Sequence, residues 1–254
     1  MTTAHRALDG KVAVVTGGAG GMGAAICHEL ARQGAAVVVG YHTSAERACA
    51  VVAALPPASL AHAALPAAVT DSAALADLAA RIGQLYGRCD ILVNCAGTTG
   101  FVPHADLDGL DDELIDRILA TNVRGPFAAV RAFRTLLAGG GAGLVVNVSS
   151  IAAVTAMGSN VMYCASKAAV DNMTKSLARA LAPAVRVVSV SPGLSGTEFV
   201  KSMDPAWRDE QARRTPLRRL ADPREVALAV VALATHLTFT TGAVIPVDGG
   251  RPLQ

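Results

Sequence analysis

Seven short runs of valine, isoleucine, leucine and alanine alternate with alanine-rich stretches along the whole chain. No other feature restricts the fold as much. The runs are Val12–Val15, Ala36–Val39, Leu60–Ala64, Ile91–Asn94, Leu144–Val148, Val185–Val190 and Val244–Val247. They are apolar almost throughout, without period-two alternation, which marks strands buried on both faces of a parallel sheet. Helices are expected between them, near Gly21–Gln33, Ala45–Leu55, Ala73–Tyr86, Leu110–Leu137, Met162–Ala182 and Arg224–Thr235. In the fifth of these, Val170, Met173, Leu177 and Leu181 follow the spacing of a core-facing stripe. Repeated strand–helix–strand units imply an α/β, doubly wound sheet with right-handed crossovers and helices on both faces. Ligands of such sheets bind beyond the carboxyl ends of the strands.

A length of 254 residues suits one large domain, and no linker or repeat marks a second, so residues 1–254 read as a single unit. The chain is 52% hydrophobic but only 4% aromatic, so its core is built from alanine, valine and leucine. A net charge of +2 without a basic stripe argues against nucleic acid as the main partner. The cluster from Arg213 to Arg219 reads as a solvated turn or a small anion contact. Five cysteines, odd in number and without a CxxC pair, read as buried thiols of a reducing compartment, with no disulfide frame and no metal site. Met1 to Gly10 shows no apolar signal core, and runs such as Val226 to Ala234 are too short to span a bilayer. A soluble, cytoplasmic protein without a membrane partner is expected. Ala138 to Gly143 reads as a turn entering a strand. The longest irregular stretch, Leu194 to Leu220, follows a strand end and holds the only tryptophan, Trp207. It is a candidate substrate lid or a plain surface excursion.

Two local patterns carry chemistry. Thr16-Gly17-Gly18-Ala19-Gly20-Gly21-Met22-Gly23 lies directly after the first strand and leads into a helix. Glycines let the backbone approach a pyrophosphate, and a helix N-terminus offers free N–H groups. At the start of a βαβ unit, such a turn points to a dinucleotide and to a Rossmann-like sheet of about seven strands. Further on, Tyr163 and Lys167 stand four residues apart, on one face of their helix. A phenol alone titrates near ~10. A fixed cation beside it stabilises the phenolate and makes it a usable proton carrier at neutral pH. The spacing by itself is also that of ordinary surface neighbours.

Nearly the whole chain resembles the short-chain dehydrogenase/reductase family. Gly17, Gly21 and Gly23 match its TGxxxGxG cofactor turn, and Asn94-Cys95-Ala96-Gly97 resembles its NNAG motif with Cys in the second place. Asn122 sits where the family has its catalytic asparagine. Ser150 precedes Tyr163 by the family's serine-to-tyrosine spacing, which selects it over Ser149. Pro192, Gly193 and Thr197 resemble the PG-xxx-T segment bordering the nicotinamide, and Val247-Asp248-Gly249-Gly250 the C-terminal signature. The resemblance implies catalysis by Asn122, Ser150, Tyr163 and Lys167. Tyr163 would exchange the proton, Lys167 would support the phenolate and hold the nicotinamide ribose, Ser150 would polarise the carbonyl and Asn122 would support a water chain. It also implies cofactor contacts from Gly17, Gly21, Met22, Gly23, Val69, Asn94, Ala96, Gly97, Tyr163, Lys167, Pro192, Gly193 and Thr197, with no metal. Tyr41 replaces the acidic residue that NAD-preferring relatives place at the end of the second strand. His42, Thr43, Ser44 and Arg47 follow, so NADP(H) is favoured over NAD(H). Gly20 and Ala68 depart from the family pattern, where a basic residue and an Asp or Asn are common. Asp71 reads as the cap of the next helix.

Within the family the chain is most like 3-oxoacyl-(acyl-carrier-protein) reductases. This implies a hydride exchange between NADP(H) and a carbonyl or secondary alcohol, with an acyl thioester as one substrate. The basic residues such relatives use to dock the carrier are replaced by Gly139-Gly140-Gly141, with Arg131 and Arg134 nearby. Dehydrogenation of a small polyol, sugar or other alcohol is the alternative, and a non-catalytic NADP-sensing regulator is a reading from another class. Two apolar helices, 110–137 and 162–182, imply a homotetramer.

Overall fold

The computed structural model describes residues 6–253. Strands β1 (Val12–Thr16), β2 (Ala36–Tyr41), β3 (Ala63–Pro66), β4 (Ile91–Asn94), β5 (Gly143–Val148), β6 (Val185–Pro192) and β7 (Val244–Val247) form one parallel sheet in the order β3-β2-β1-β4-β5-β6-β7. The register aligns Val14 with both Val38 and Leu92, and Asn94 with Asn147. Strand order reverses between β1 and β4, and the crevice above that point is where doubly wound sheets take their ligands.

The helices are α1 (Gly21–Arg32), α2 (Ala45–Ala54), α3 (Ser72–Tyr86), α4 (Asp112–Leu119), α5 (Gly125–Gly139), α6 (Ala152–Thr155), α7 (Val161–Leu181), α8 (Glu198–Lys201), α9 (Pro205–Arg213) and α10 (Pro223–Thr235). One face of the sheet is covered by Ile26 and Leu30 of α1, Ala48 of α2 and Val226 and Val230 of α10. The other is covered by Leu75 and Ile82 of α3, Phe133 of α5 and Ala178 of α7. The single Rossmann-like sheet agrees with the alternation in the sequence. Among the described residues, no helix is long and apolar enough to cross a membrane.

Three expectations need correction. The third strand begins at Ala63, not Leu60. Residues 61 and 62 are held from the side instead: Val37 N donates to His62 Nδ1 at 3.0 Å, and Tyr86 Oη donates to Ala61 O at 2.9 Å. The strand closes on Pro66, tolerable because β3 is an edge. The helix expected over Leu110–Leu137 is two helices joined by a π-turn, Ala120–Arg124. Its cause is Pro126, which has no N–H to give to the carbonyl of Asn122 four residues earlier. The irregular stretch 194–220 contains α8 and α9, capped by Thr197 and Asp204. Its ends meet at a narrow neck, where Gly196 N donates to Ala221 O at 2.9 Å and Ala221 N to Leu194 O at 3.1 Å. The arginines there mostly serve the chain itself. Arg213 and Arg214 pair with Glu210, and Arg219 pairs with Glu225.

Candidate active site

Helix α7 is started by Asn160, whose Oδ1 accepts from Tyr163 N at 2.7 Å. That cap fixes the first turn, and with it the phenol. One turn later Lys167 is only 7% exposed. Its Nζ donates to Val148 O at 2.9 Å and lies 5.7 Å from the centre of the Tyr163 ring. An ammonium carries three donors, so Val148 uses one and leaves others for a ligand. Val148 ends β5, and Ser150 follows two residues on. Ser150 Oγ accepts from Ala152 N at 3.1 Å, a strand-end cap that leaves its own proton to donate. Ser149 is buried and its Oγ donates to Lys167 O at 3.3 Å, so its hydroxyl belongs to the interior.

Asn122 lies in the π-turn and is buried. Its Oδ1 accepts from Thr98 N at 2.8 Å, and its Nδ2 donates to Thr98 O at 2.9 Å and to Ser166 Oγ at 3.1 Å. The side chain therefore ties the β4 strand end to α7. A Cβ added to Gly97 would stand 3.5 Å from Asn122 Oδ1 and 3.9 Å from Lys167 Nζ, so these three residues converge.

The glycine-rich turn is folded too closely on its neighbours to admit side chains at two of its glycines. Gly17 has φ +65, and a Cβ there would come 2.8 Å from Ala96 Cα. A Cβ on Gly23 would overlap the Gly17 carbonyl oxygen. Helix α1 has no side-chain cap at Gly20, so the amides of Gly21, Met22 and Gly23 face outward unpaired by any cap. Thr197 stands against Gly21, 3.3 Å from the position of its absent Cβ. Thr16 Oγ1 accepts from Cys95 N and Ala96 N, each at 3.2 Å, which fixes the Asn94–Gly97 loop beside the turn. Burial pushes the Cys95 thiol up to about 11, against the pull of the Lys167 ammonium, so it is an inert neutral group. Asn94 Nδ2 donates to Asn147 Oδ1 at 2.9 Å, inside the sheet.

Tyr41, His42, Thr43 and Ser44 form the end of β2 and the approach to α2. Ser44 makes no cap bond to its helix, and Arg47 Nη2 donates to its Oγ instead. Val69 packs against the position of a Gly125 Cβ at 3.1 Å. Pro192 ends β6, and Gly193 N donates to Val247 O at 3.0 Å. Asp71 caps α3 as expected, accepting from Ala73 N at 2.8 Å.

Two residues of the site escaped the sequence reading. Asn160 could have been found as an N-cap residue preceding a helical pattern. Asp171, one turn past Lys167, had no such signal. It is buried, the Ser149 and Ser189 hydroxyls act on it from nearby, and its Oδ1 has no hydrogen-bond partner. Burial raises its carboxyl above the ordinary range, against those hydroxyls and the Lys175 and Lys167 charges.

A doubly wound sheet carrying a glycine cradle beside a Tyr–Lys pair defines a nicotinamide-dependent oxidoreductase acting on CH–OH groups. The family model described as enoyl-(acyl carrier protein) reductase matches residues 17–251. A protein of Streptomyces violaceoruber assigned as ketoacyl reductase 2 of the granaticin polyketide synthase is 40% identical over 247 residues, covering 96% of this chain and 97% of its own. A D-threitol dehydrogenase of Mycolicibacterium smegmatis is 39% identical over 252 residues, covering 97% and 95%. The crystal structure of a dehydrogenase/reductase from Sinorhizobium meliloti 1021 superposes with a TM-score of 0.89 at 35% identity, covering 97% of both chains. The chain belongs to the short-chain dehydrogenase/reductase family, whose members use NAD(P)(H).

Proposed function

We propose that this protein transfers hydride between NADP(H) and a carbonyl or secondary alcohol, with Tyr163 as the proton carrier. The observation that carries this reading is the buried Lys167 ammonium fixed by Val148 O beneath the phenol. Gly17, Gly21, Met22 and Gly23 would hold the pyrophosphate, Lys167 the nicotinamide ribose, and Asn94, Ala96, Gly97, Pro192, Gly193 and Thr197 the remaining walls. The nicotinamide, when bound, supplies the hydride. Ser150 then donates to the substrate oxygen and holds it, while Tyr163 gives or takes the proton on that oxygen. Lys167 stabilises the phenolate that results. Asn122 holds its loop and helix together around the route that resupplies the proton. These donors are placed before reaction, so little reorganisation is required.

NADP(H) is supported by Tyr41, which leaves no carboxylate to repel a 2′-phosphate, and by Thr43, Ser44 and Arg47 beside it. A 3-oxoacyl thioester fits the chemistry. Docking of an acyl carrier is supported less, because Arg131 donates to Ser72 Oγ at 3.1 Å and Arg134 to Arg131 O at 2.7 Å. A polyol substrate is the second reading, favoured by the likeness to a threitol dehydrogenase. A non-catalytic NADP sensor is disfavoured by the intact acid–base set. All five cysteines are free, which suits a reducing compartment such as the cytoplasm. The test is a panel of ketones and alcohols, followed by absorbance of the reduced nicotinamide with each cofactor. Turnover faster with NADP(H) is expected; tighter binding of NAD(H) would remove the cofactor assignment.

A further inference from the structure

Two segments beside Tyr163 carry no charge. Residues 97–103, after β4, and residues 150–163, from Ser150 to Tyr163, contain no Asp, Glu, Lys, Arg or His. The two segments are stitched together. Val102 N donates to Ser159 O at 2.9 Å, Asn160 Nδ2 donates to Gly100 O at 2.7 Å, and the Thr99 and Ser159 hydroxyls share a hydrogen bond. The stitch lies against the acid itself, since a Cβ on Gly158 would stand 3.0 Å from Tyr163 Cδ1. His104, the first titratable group beyond it, is tied at 3.2 Å to Gly158 O.

Thr99, Thr155, Ser159 and Asn160 spend their side chains on bonds within the two segments. Thr155 Oγ1 donates to Ile151 O at 2.9 Å and accepts from Met157 N at 3.2 Å. Asn160 is consumed by Tyr163 N, Thr99 and Gly100. The large side chains they leave exposed include Phe101, at 78%, and Met157, at 45%. A substrate with several hydroxyls would find few partners here and would lose its bonds to water. A charged one would lose its hydration without gaining a counter-ion.

We infer that the carbonyl substrate carries an uncharged apolar body, an alicyclic or branched aliphatic group, seated against Phe101 and Met157 with its oxygen toward Ser150 and Tyr163. This rests on the hydride-transfer reading and narrows it away from polyols and oxo-acids.

The experiment compares 4-alkylcyclohexanones of increasing chain length with erythrulose and with 4-oxocyclohexanecarboxylate, using NADPH. Binding is measured beside turnover, by calorimetry of each ketone with the oxidised cofactor. The expected result is a kcat/KM that rises about threefold per added methylene over the first few carbons. It should also exceed the values for erythrulose and the carboxylate by at least about tenfold. Met157→Asp and Phe101→Ser, both at exposed positions, should raise KM for the longer ketones and leave kcat nearly unchanged. Equal or better use of erythrulose or of the carboxylate overturns the inference and leaves hydride transfer standing. No oxidation of the cofactor by any ketone, with the binding order preserved, overturns hydride transfer and leaves the apolar seat standing. A flat binding order overturns the seat whatever the rates.

Discussion

On the proposed mechanism Tyr163 and Lys167 divide the labour of proton handling, and removing a single oxygen should separate the two. Tyr163→Phe should lower turnover by ~10²–10⁴-fold, the range general acid–base catalysis supplies, with cofactor dissociation constants nearly unchanged. A variant that keeps the wild-type rate on a verified substrate would end the assignment. Tyr41→Asp should shift the ratio of dissociation constants toward NAD(H), because a carboxylate accepts from ribose hydroxyls and repels a 2′-phosphate. Asp171 gives a pH signature. Its carboxyl is raised in the folded state, chiefly by burial. The stability it contributes is therefore complete below the unfolded value near ~3.9 and is lost as pH rises through the folded one. Asp171→Asn should raise Tm at pH 8 relative to wild type, with no difference at pH 3; a difference independent of pH would refute the linkage. Tyr163, Lys167 and Ser150 were legible because spacing along one chain segment sets them. Asp171 was not, because its burial depends on β5 and β6 packing over it from distant sequence.

At the scale of elements, the strands were legible, with the bounds of β4 and β7 as expected and only β3 clearly displaced. Apolar runs identify strands, but β3 is placed by His62 and Tyr86, side chains whose partners lie elsewhere in the chain. The break at Asn122 could have been read from Pro126 inside an apparent helix. The excursion 194–220 reads as irregular in sequence because α8 and α9 are short and polar, without a long apolar stripe. We expect it to be mobile without ligand and to close over the bound cofactor and substrate, excluding water from hydride transfer. Trp207, 39% exposed on α9, should change its fluorescence when NADP(H) and a substrate analogue bind together. Hydrogen exchange equally slow across 194–220 with and without ligands would make it a fixed wall.

The exposed apolar side chains of the described residues include two groups that could each face a copy of the chain. One lies on α5 and α7, with Phe127 and Val161 outward, and the other near β7, where Leu237, Phe239 and Leu253 are exposed. If each group packs on its own counterpart across a two-fold axis, the two contacts together close a tetramer, which is the assembly we expect. Light scattering should return a mass near four times the 25.8 kDa chain, and a monomer at micromolar concentration would contradict it. The neck between Ser195 and Ala221 also bears on how such a protein can change. Because both ends of the excursion are already joined by backbone bonds, the part beyond Thr197 is the candidate for exchange, with the bond from Leu217 N to Gly249 O to be kept. A relative's segment of different length, spliced in after Thr197, is expected to leave the hydride-transfer apparatus below with its geometry while giving it a new roof.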